Sequence, residues 1–153
     1  MYGMFHACEN LTNLDISSFD TSKVKSMSLM FRGCAKLISL DVSSFNTSNV
    51  TDMTMMFQSC ESLTELNLSN FDTSSVIDMD KMFSASTKLK TIYVSNLWNT
   101  ENVTESINMF FDNQSLVGGY GTKFSSNYRD KTYARVDKGA NNPGYFTYKE
   151  NTI

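Results

Sequence analysis

The sequence predicts an α/β solenoid of about four 26-residue strand-helix coils with a parallel sheet, closed by a C-terminal capping segment, and three observations carry that reading. The first is a repeat: Phe19, Phe45 and Phe71 lie 26 residues apart, as do Leu14, Leu40 and Leu66, Val24, Val50 and Val76, Met27, Met53 and Met79, and Cys8, Cys34 and Cys60. The second is alternation, since Leu40 and Val42 flank the polar Asp41, a strand with one buried face. The third is a helical stripe: Val50, Met53, Met56, Phe57 and Cys60 recur at i, i+3, i+6, i+7 and i+10, about three turns.

Each coil repeats these parts in order. Leu11, Leu14 and Ile16, then Leu63, Leu66 and Leu68, then Leu89, Ile92 and Val94 reproduce the strand pattern of Leu37, Leu40 and Val42. A helix start is predicted where Asn49 precedes Asp52, Ser75 precedes Asp78 and Asn102 precedes Glu105, the spacing of an N-cap and an acidic group three residues on. Lys23 and Ser26 break that spacing in the first copy. One strand and one helix cannot bury both faces alone, so successive copies must stack, which defines a solenoid over residues 1–116. The four strands then form a curved parallel sheet with the helices on the opposite, convex side. Asp15, Asp41, Asn67 and Tyr93, flanked by Ser17, Ser43, Ser69 and Ser95, line its open face.

The fourth copy departs from the pattern, with Leu97 for Phe, Ser86 for Cys, Ser106 for Met and one extra residue at Trp98 and Asn99. Terminal repeats are commonly atypical because one side has no neighbour to match. Residues 117–153 lose the period and read as a cap. Gly118, Gly119, Gly121, Pro143 and Gly144 mark turns, and 132–136 and 145–148 are strand candidates. At the other end Met1, Met4 and Phe5 match the phase of Met27, Met30 and Phe31, so the chain starts within a repeat and reads as a piece of a longer protein. An uncovered N-terminal coil would favour edge-to-edge self-association.

Composition narrows the class. A chain of 153 residues with 41% hydrophobic and 12% aromatic content is one foldable domain and not a disordered tail. Ser, Thr and Asn stand where charges usually would, as on extracellular repeat proteins. Net charge is −6 over residues 1–116 and +3 over 117–153. No window approaches the roughly 18–20 apolar residues of a membrane-spanning helix, so no membrane contact by this segment is expected.

The chemistry-bearing residues have plainer explanations than catalysis. Cys8, Cys34 and Cys60 occupy one spot on successive coils, later filled by Ser86 and Asn113, and three cysteines without a CxxC pair read as small packed residues. His6, the single histidine, stands where later copies have Arg32, Gln58 and Ser84, a solvent position. Met27, Met30, Met53, Met56, Met79 and Met82 read as core filling and not as metal ligands. Asp-Thr-Ser at 20–22 and 72–74 could offer oxygen to Ca²⁺, but Asn46 in the second copy favours a turn-forming role. In the basic tail Tyr120, Tyr128, Tyr133, Arg129 and Arg135 resemble a nucleic-acid patch; Asp130 and Asp137 interrupt it, and a cap must bury aromatics. No enzyme, cofactor, metal or nucleic acid is expected. What remains is the open sheet face: Asp15, Asp41 and Asn67, with Tyr93 and Trp98 as rigid aromatic anchors at its C-terminal edge.

The recurring blocks Phe-(Asp/Asn)-Thr-Ser-x-Val and Met-Phe-x-x-Cys, fixed in phase, closely resemble the BspA-like leucine-rich-repeat proteins, in their 26-residue lipoprotein-repeat branch. The tail around Gly118, Gly121, Asp130 to Arg135 and Pro143 to Phe146 also resembles the segment that closes such arrays. The resemblance implies a right-handed leucine-rich-repeat solenoid from an extracellular, cell-surface protein of bacteria, with an adhesive role toward a host extracellular protein or glycan, or toward another surface protein. A structural spacer without a ligand of its own is the alternative.

Overall fold

In the computed structural model, which describes residues 1–151, equivalent side chains of successive copies lie on one another. Phe5, Phe31, Phe57, Phe83 and Phe110 form a continuous stack with ring centroids 5.6 to 5.8 Å apart and planes within 10° of parallel. Met27, Met53 and Met79, Met30, Met56 and Met82, and Leu37, Leu63 and Leu89 are fully buried around it. A side chain that meets its own copy in the next coil presents the same shape throughout, which is why a strict period specifies the stacking.

The expected strand-helix leucine-rich-repeat solenoid is nevertheless not what forms. No α-helix occurs among the described residues, and the convex helical layer is absent. The stretch from Met53 to Cys60 instead divides its backbone N–H groups between two destinations. Met53, Met55, Phe57 and Ser59 donate to the carbonyls of Asp78, Asp80, Met82 and Ser84 in the next coil, at 2.8 to 2.9 Å. Met56 and Gln58 donate three residues back, to Met53 and Met55, both at 3.2 Å. An α-helix would send every N–H four residues back, so the inter-coil ladder and the helix are mutually exclusive here. The turns this requires put Leu29, Met55, Lys81 and Asn108 at φ between 52° and 61°, and Ala7, Ser59, Ala85 and Asp112 at φ between 57° and 60°. The expected helix caps are absent as well. Asp52 Oδ1 accepts the N–H of Thr54 at 2.9 Å, and the Asn49 amide donates to the Ser22 carbonyl of the preceding coil at 2.9 Å.

The sheet is also smaller than four coil strands. It consists of β1 (Glu65–Leu68), β2 (Thr91–Val94) and β3 (Phe146–Tyr148), all parallel in the order β1-β2-β3, and β3 comes from the tail. The corresponding stretches of the first two coils are not strands, and side chains bond the carbonyls at their C-terminal ends. Ser44 donates its hydroxyl to Ile16 at 3.2 Å, and the Asn70 amide bridges the carbonyls of Val42 and Phe45 at 3.0 and 2.8 Å.

A second spine runs through the Phe-(Asp/Asn)-Thr-Ser blocks. The buried hydroxyls of Thr21, Thr47 and Thr73 each donate to a carbonyl one coil on, those of Asn46, Asp72 and Asn99, at 2.7 to 2.9 Å. The cysteines form a third, with the Cys34 and Cys60 thiols 3.3 and 3.2 Å from the Phe5 and Phe31 carbonyls and Ser86 donating to Phe57 at 2.7 Å. All three cysteines are free. Burial, with Cys8 nearby, pushes the Cys34 thiol up to about 11, and burial drives the Cys60 thiol further in the same direction.

The tail folds over the last coil. Its first expected strand is instead a 3₁₀ turn, Lys131–Tyr133, capped by Asp130. Phe146 packs edge-on against Trp98, Phe83 and Phe110, and the fully buried Tyr145 packs edge-on against Phe110 while donating its hydroxyl to Tyr128 at 3.0 Å. Gly118 and Gly144 permit this closure: a Cβ on Gly118 would lie 2.2 Å from the Gly144 carbonyl oxygen, and one on Gly144 2.3 Å from that of Arg135.

Candidate recognition face

The polar positions of the sheet come from strand alternation. Glu65 and Asn67 of β1 point outward while Leu66 and Leu68 are buried, and Asn67 is in register with Tyr93 of β2 and Thr147 of β3. Asp15 and Asp41 hold the equivalent places on the first two coils, both exposed. Each of these acids and amides also organises its own loop. Asp15 Oδ1 accepts the hydroxyl and N–H of Ser17 at 2.7 and 3.0 Å, Asp41 Oδ1 the N–H of Ser43 at 2.9 Å, and Asn67 Oδ1 that of Ser69 at 3.2 Å. The Ser17 hydroxyl and N–H hold Asp15 below the usual carboxylate range, and the Ser43 N–H and hydroxyl do the same for Asp41. Both are therefore anions at neutral pH, with Oδ2 left toward solvent.

Between the second coil and β1 lies a shallow cleft of about 370 Å³, lined by Ile38, Leu40, Asp41, Glu65, Asn67 and Lys149. Ile38 is 65% exposed at its rim. The Lys149 ammonium sits 5.2 Å from the centre of the Tyr93 ring, a cation-π distance that fixes the ring against the face. Asp41, Asn67 and Tyr93 are thus neighbours on one surface. Trp98 is not on it. Its ring is 8% exposed, its Nε1 donates to the Ala134 carbonyl at 3.0 Å, and it lies edge-on to Phe146 at 5.1 Å. The expected anchor belongs to the seam between coil and cap: Trp98 takes the place of the buried Phe71, since the Thr73 hydroxyl bonds the Asn99 carbonyl as that of Thr47 bonds Asp72.

Sequence reasoning missed Glu65, Ile38 and Lys149. Glu65 was accessible from period-2 alternation, two residues before Asn67. Lys149 had no local signal, since the tail brings it back across β2 through the bond from its N–H to Val94 at 2.9 Å. Elsewhere, His6 is exposed, with Nε2 2.8 Å from an Arg32 guanidinium nitrogen. Among the described residues no group of three or more His, Cys, Asp or Glu side chains converges.

A repeat domain with no α-helix among its described residues, closed by an aperiodic cap, is the class these features define. The chain belongs to the family described as Mycoplasma protein of unknown function, DUF285, whose model matches residues 1–122. No curated protein and no solved structure matches the chain.

Proposed function

We propose that this chain is a non-catalytic recognition module of a bacterial surface protein, binding an extracellular protein or glycan through the face around Asp41, Asn67 and Tyr93. The observation that carries this reading is the Tyr93 ring, held by Lys149 beside an open cleft that presents the Asp41 anion and Glu65. A fixed aromatic ring next to oriented polar groups loses little conformational freedom on binding. The sequence likeness to BspA-like proteins and the bacterial repeat family matched over residues 1–122 support a surface setting. A spacer role is the second reading, favoured by the bonds that spend one oxygen each of Asp15, Asp41 and Asn67 on their own turns.

The test is binding of the purified chain to an array of host matrix proteins, mucins and glycans, with Tyr93→Ala and Asp41→Ala alongside. Saturable binding that both variants lose supports recognition by the face. No binding at tens of micromolar, with an intact thermal transition, transfers the support to the spacer reading.

A further inference from the structure

A larger concavity lies where the last coil meets the cap, and none of Asp41, Asn67 and Tyr93 lines it. It encloses about 700 Å³. Its origin is the register of β3. Leu68, Val94 and Tyr148 are aligned across the three strands, and the first two are fully buried core residues. Tyr148 occupies the same inward position at the edge of the sheet, and it is 54% exposed. Tyr120, 79% exposed, lines the same cleft, and the buried Trp98 indole contributes to its lining. Neither phenolic hydroxyl hydrogen-bonds to another of the described residues. Two open aromatic rings with free hydroxyls are a surface on which sugar C–H faces stack.

The charges of this cleft are cationic at the rim and screened at the floor. Arg135 and Lys138 are both exposed. Arg135 is held rather than mobile: its Nε donates to the Pro143 carbonyl at 2.9 Å and its guanidinium lies 5.9 Å from the Tyr133 ring centre, which leaves the two terminal nitrogens to face a ligand. Asp137, the acid in the lining, is 1% exposed. Its carboxylate is already occupied by the N–H groups of Tyr120, Thr122 and Gly139 and the Thr122 hydroxyl, at 2.8 to 3.0 Å. It orders the loop that carries Tyr120 and does not face the rim. Asn96 and Asn142 add amides that both donate and accept.

We propose that this cleft binds a carboxylate-bearing glycan, with the sugar ring against Tyr148 and Tyr120 and the carboxylate on Arg135 and Lys138. Arg135 presents the planar pair of donors that matches a carboxylate in bidentate fashion, and Lys138 supplies a point charge beside it. The site stands apart from the polar face, so either can fail without the other.

The experiment is an NMR titration of the intact chain with 3′-sialyllactose and with a hyaluronan tetrasaccharide, using lactose as the neutral control. The expected result is saturable shifts of Tyr120, Tyr148 and the Trp98 indole with one or both acidic sugars and none with lactose. Arg135→Gln is expected to weaken binding about tenfold or more, as loss of a charge-assisted contact does. Lys138→Gln gives a smaller loss and Tyr93→Ala none. The proposal is overturned if no acidic sugar binds, if lactose binds as well, or if Arg135→Gln and Lys138→Gln leave affinity unchanged while the spectrum remains folded.

Discussion

The third and fourth coils are laddered to each other on two flanks, and the flanks use different backbones. On the β1 and β2 flank, extended residues pair in parallel and alternate side chains face in and out. On the flank from Met79 to Ser86, left-handed residues recur every four positions, at Lys81 and Ala85, yet every second N–H still reaches the next coil. Both send one set of side chains into the same core. The comparison teaches that inter-coil hydrogen bonding, and not local conformation, is what these repeats hold constant.

If the two flanks share one core, removing its central ring must unravel both together. Phe57 is fully buried between Phe31 and Phe83, at 5.7 and 5.8 Å. Phe57→Ala should cost about 4 kcal/mol. Urea unfolding followed by circular dichroism and by Trp98 fluorescence should shift to the same lower midpoint. Separate midpoints would break the claim of a single cooperative stack.

The cap depends on a buried anion where the coils depend on repetition. Asp137→Ala strips the acceptor from three backbone N–H groups and the Thr122 hydroxyl, and should cost about 3 kcal/mol. Burial raises the pKa of Asp137, but the bonds from Thr122, Gly139 and Tyr120 outweigh it and leave the group depressed. A depressed folded-state value means that the contribution is complete above the ordinary carboxylate pKa of about 3.9 and is lost as pH falls through the lower folded value. The difference between wild type and Asp137→Ala should therefore be flat from pH 7 to about 4 and shrink only below that. A difference that vanishes between pH 7 and 5 would contradict it.

Between these lies the threonine spine. Thr73 donates to the Asn99 carbonyl at 2.7 Å and accepts the Asn99 N–H at 2.8 Å. Thr73→Val keeps the shape and orphans both groups, for an expected loss of about 2 kcal/mol. A near-neutral result in chemical denaturation would mean that packing alone holds this corner.

How much of this was legible follows from the kind of signal each part leaves. The stacking partners of Phe31, Phe57 and Phe83 were readable because a fixed period puts identical residues in contact. The apolar stripe was read correctly as buried and wrongly as helical, since Val50, Met53, Met56, Phe57 and Cys60 have the spacing of either a helix or a run of turns. A contrary hint was present. Gly3 and Asn108 share a phase with Leu29, Met55 and Lys81, and Gly33 and Asp112 share one with Ser59 and Ala85; Gly, Asn and Asp are the residues that tolerate positive φ. Trp98 and Lys149 were not placeable, because their surroundings come from the aperiodic tail and depend on contacts that no local pattern encodes.

That hint supplies the most discriminating, though smallest, test. Lys81 is half-buried at φ 52°, with its N–H bonded to the Ile107 carbonyl of the next coil at 3.1 Å. A side chain in this left-handed region costs roughly 1 kcal/mol, which glycine does not incur. Against that, glycine makes the unfolded chain more flexible, so the net gain from Lys81→Gly should be about 0.5 kcal/mol. In a helix interior the same change would destabilise by about 1 kcal/mol. The two backbones thus predict opposite signs at one position, measurable as a rise or a fall in the urea midpoint. A fall comparable to the helical penalty would mean that the Met79 to Ser86 stretch is not a turn ladder, and with it the distinction between the two flanks would collapse.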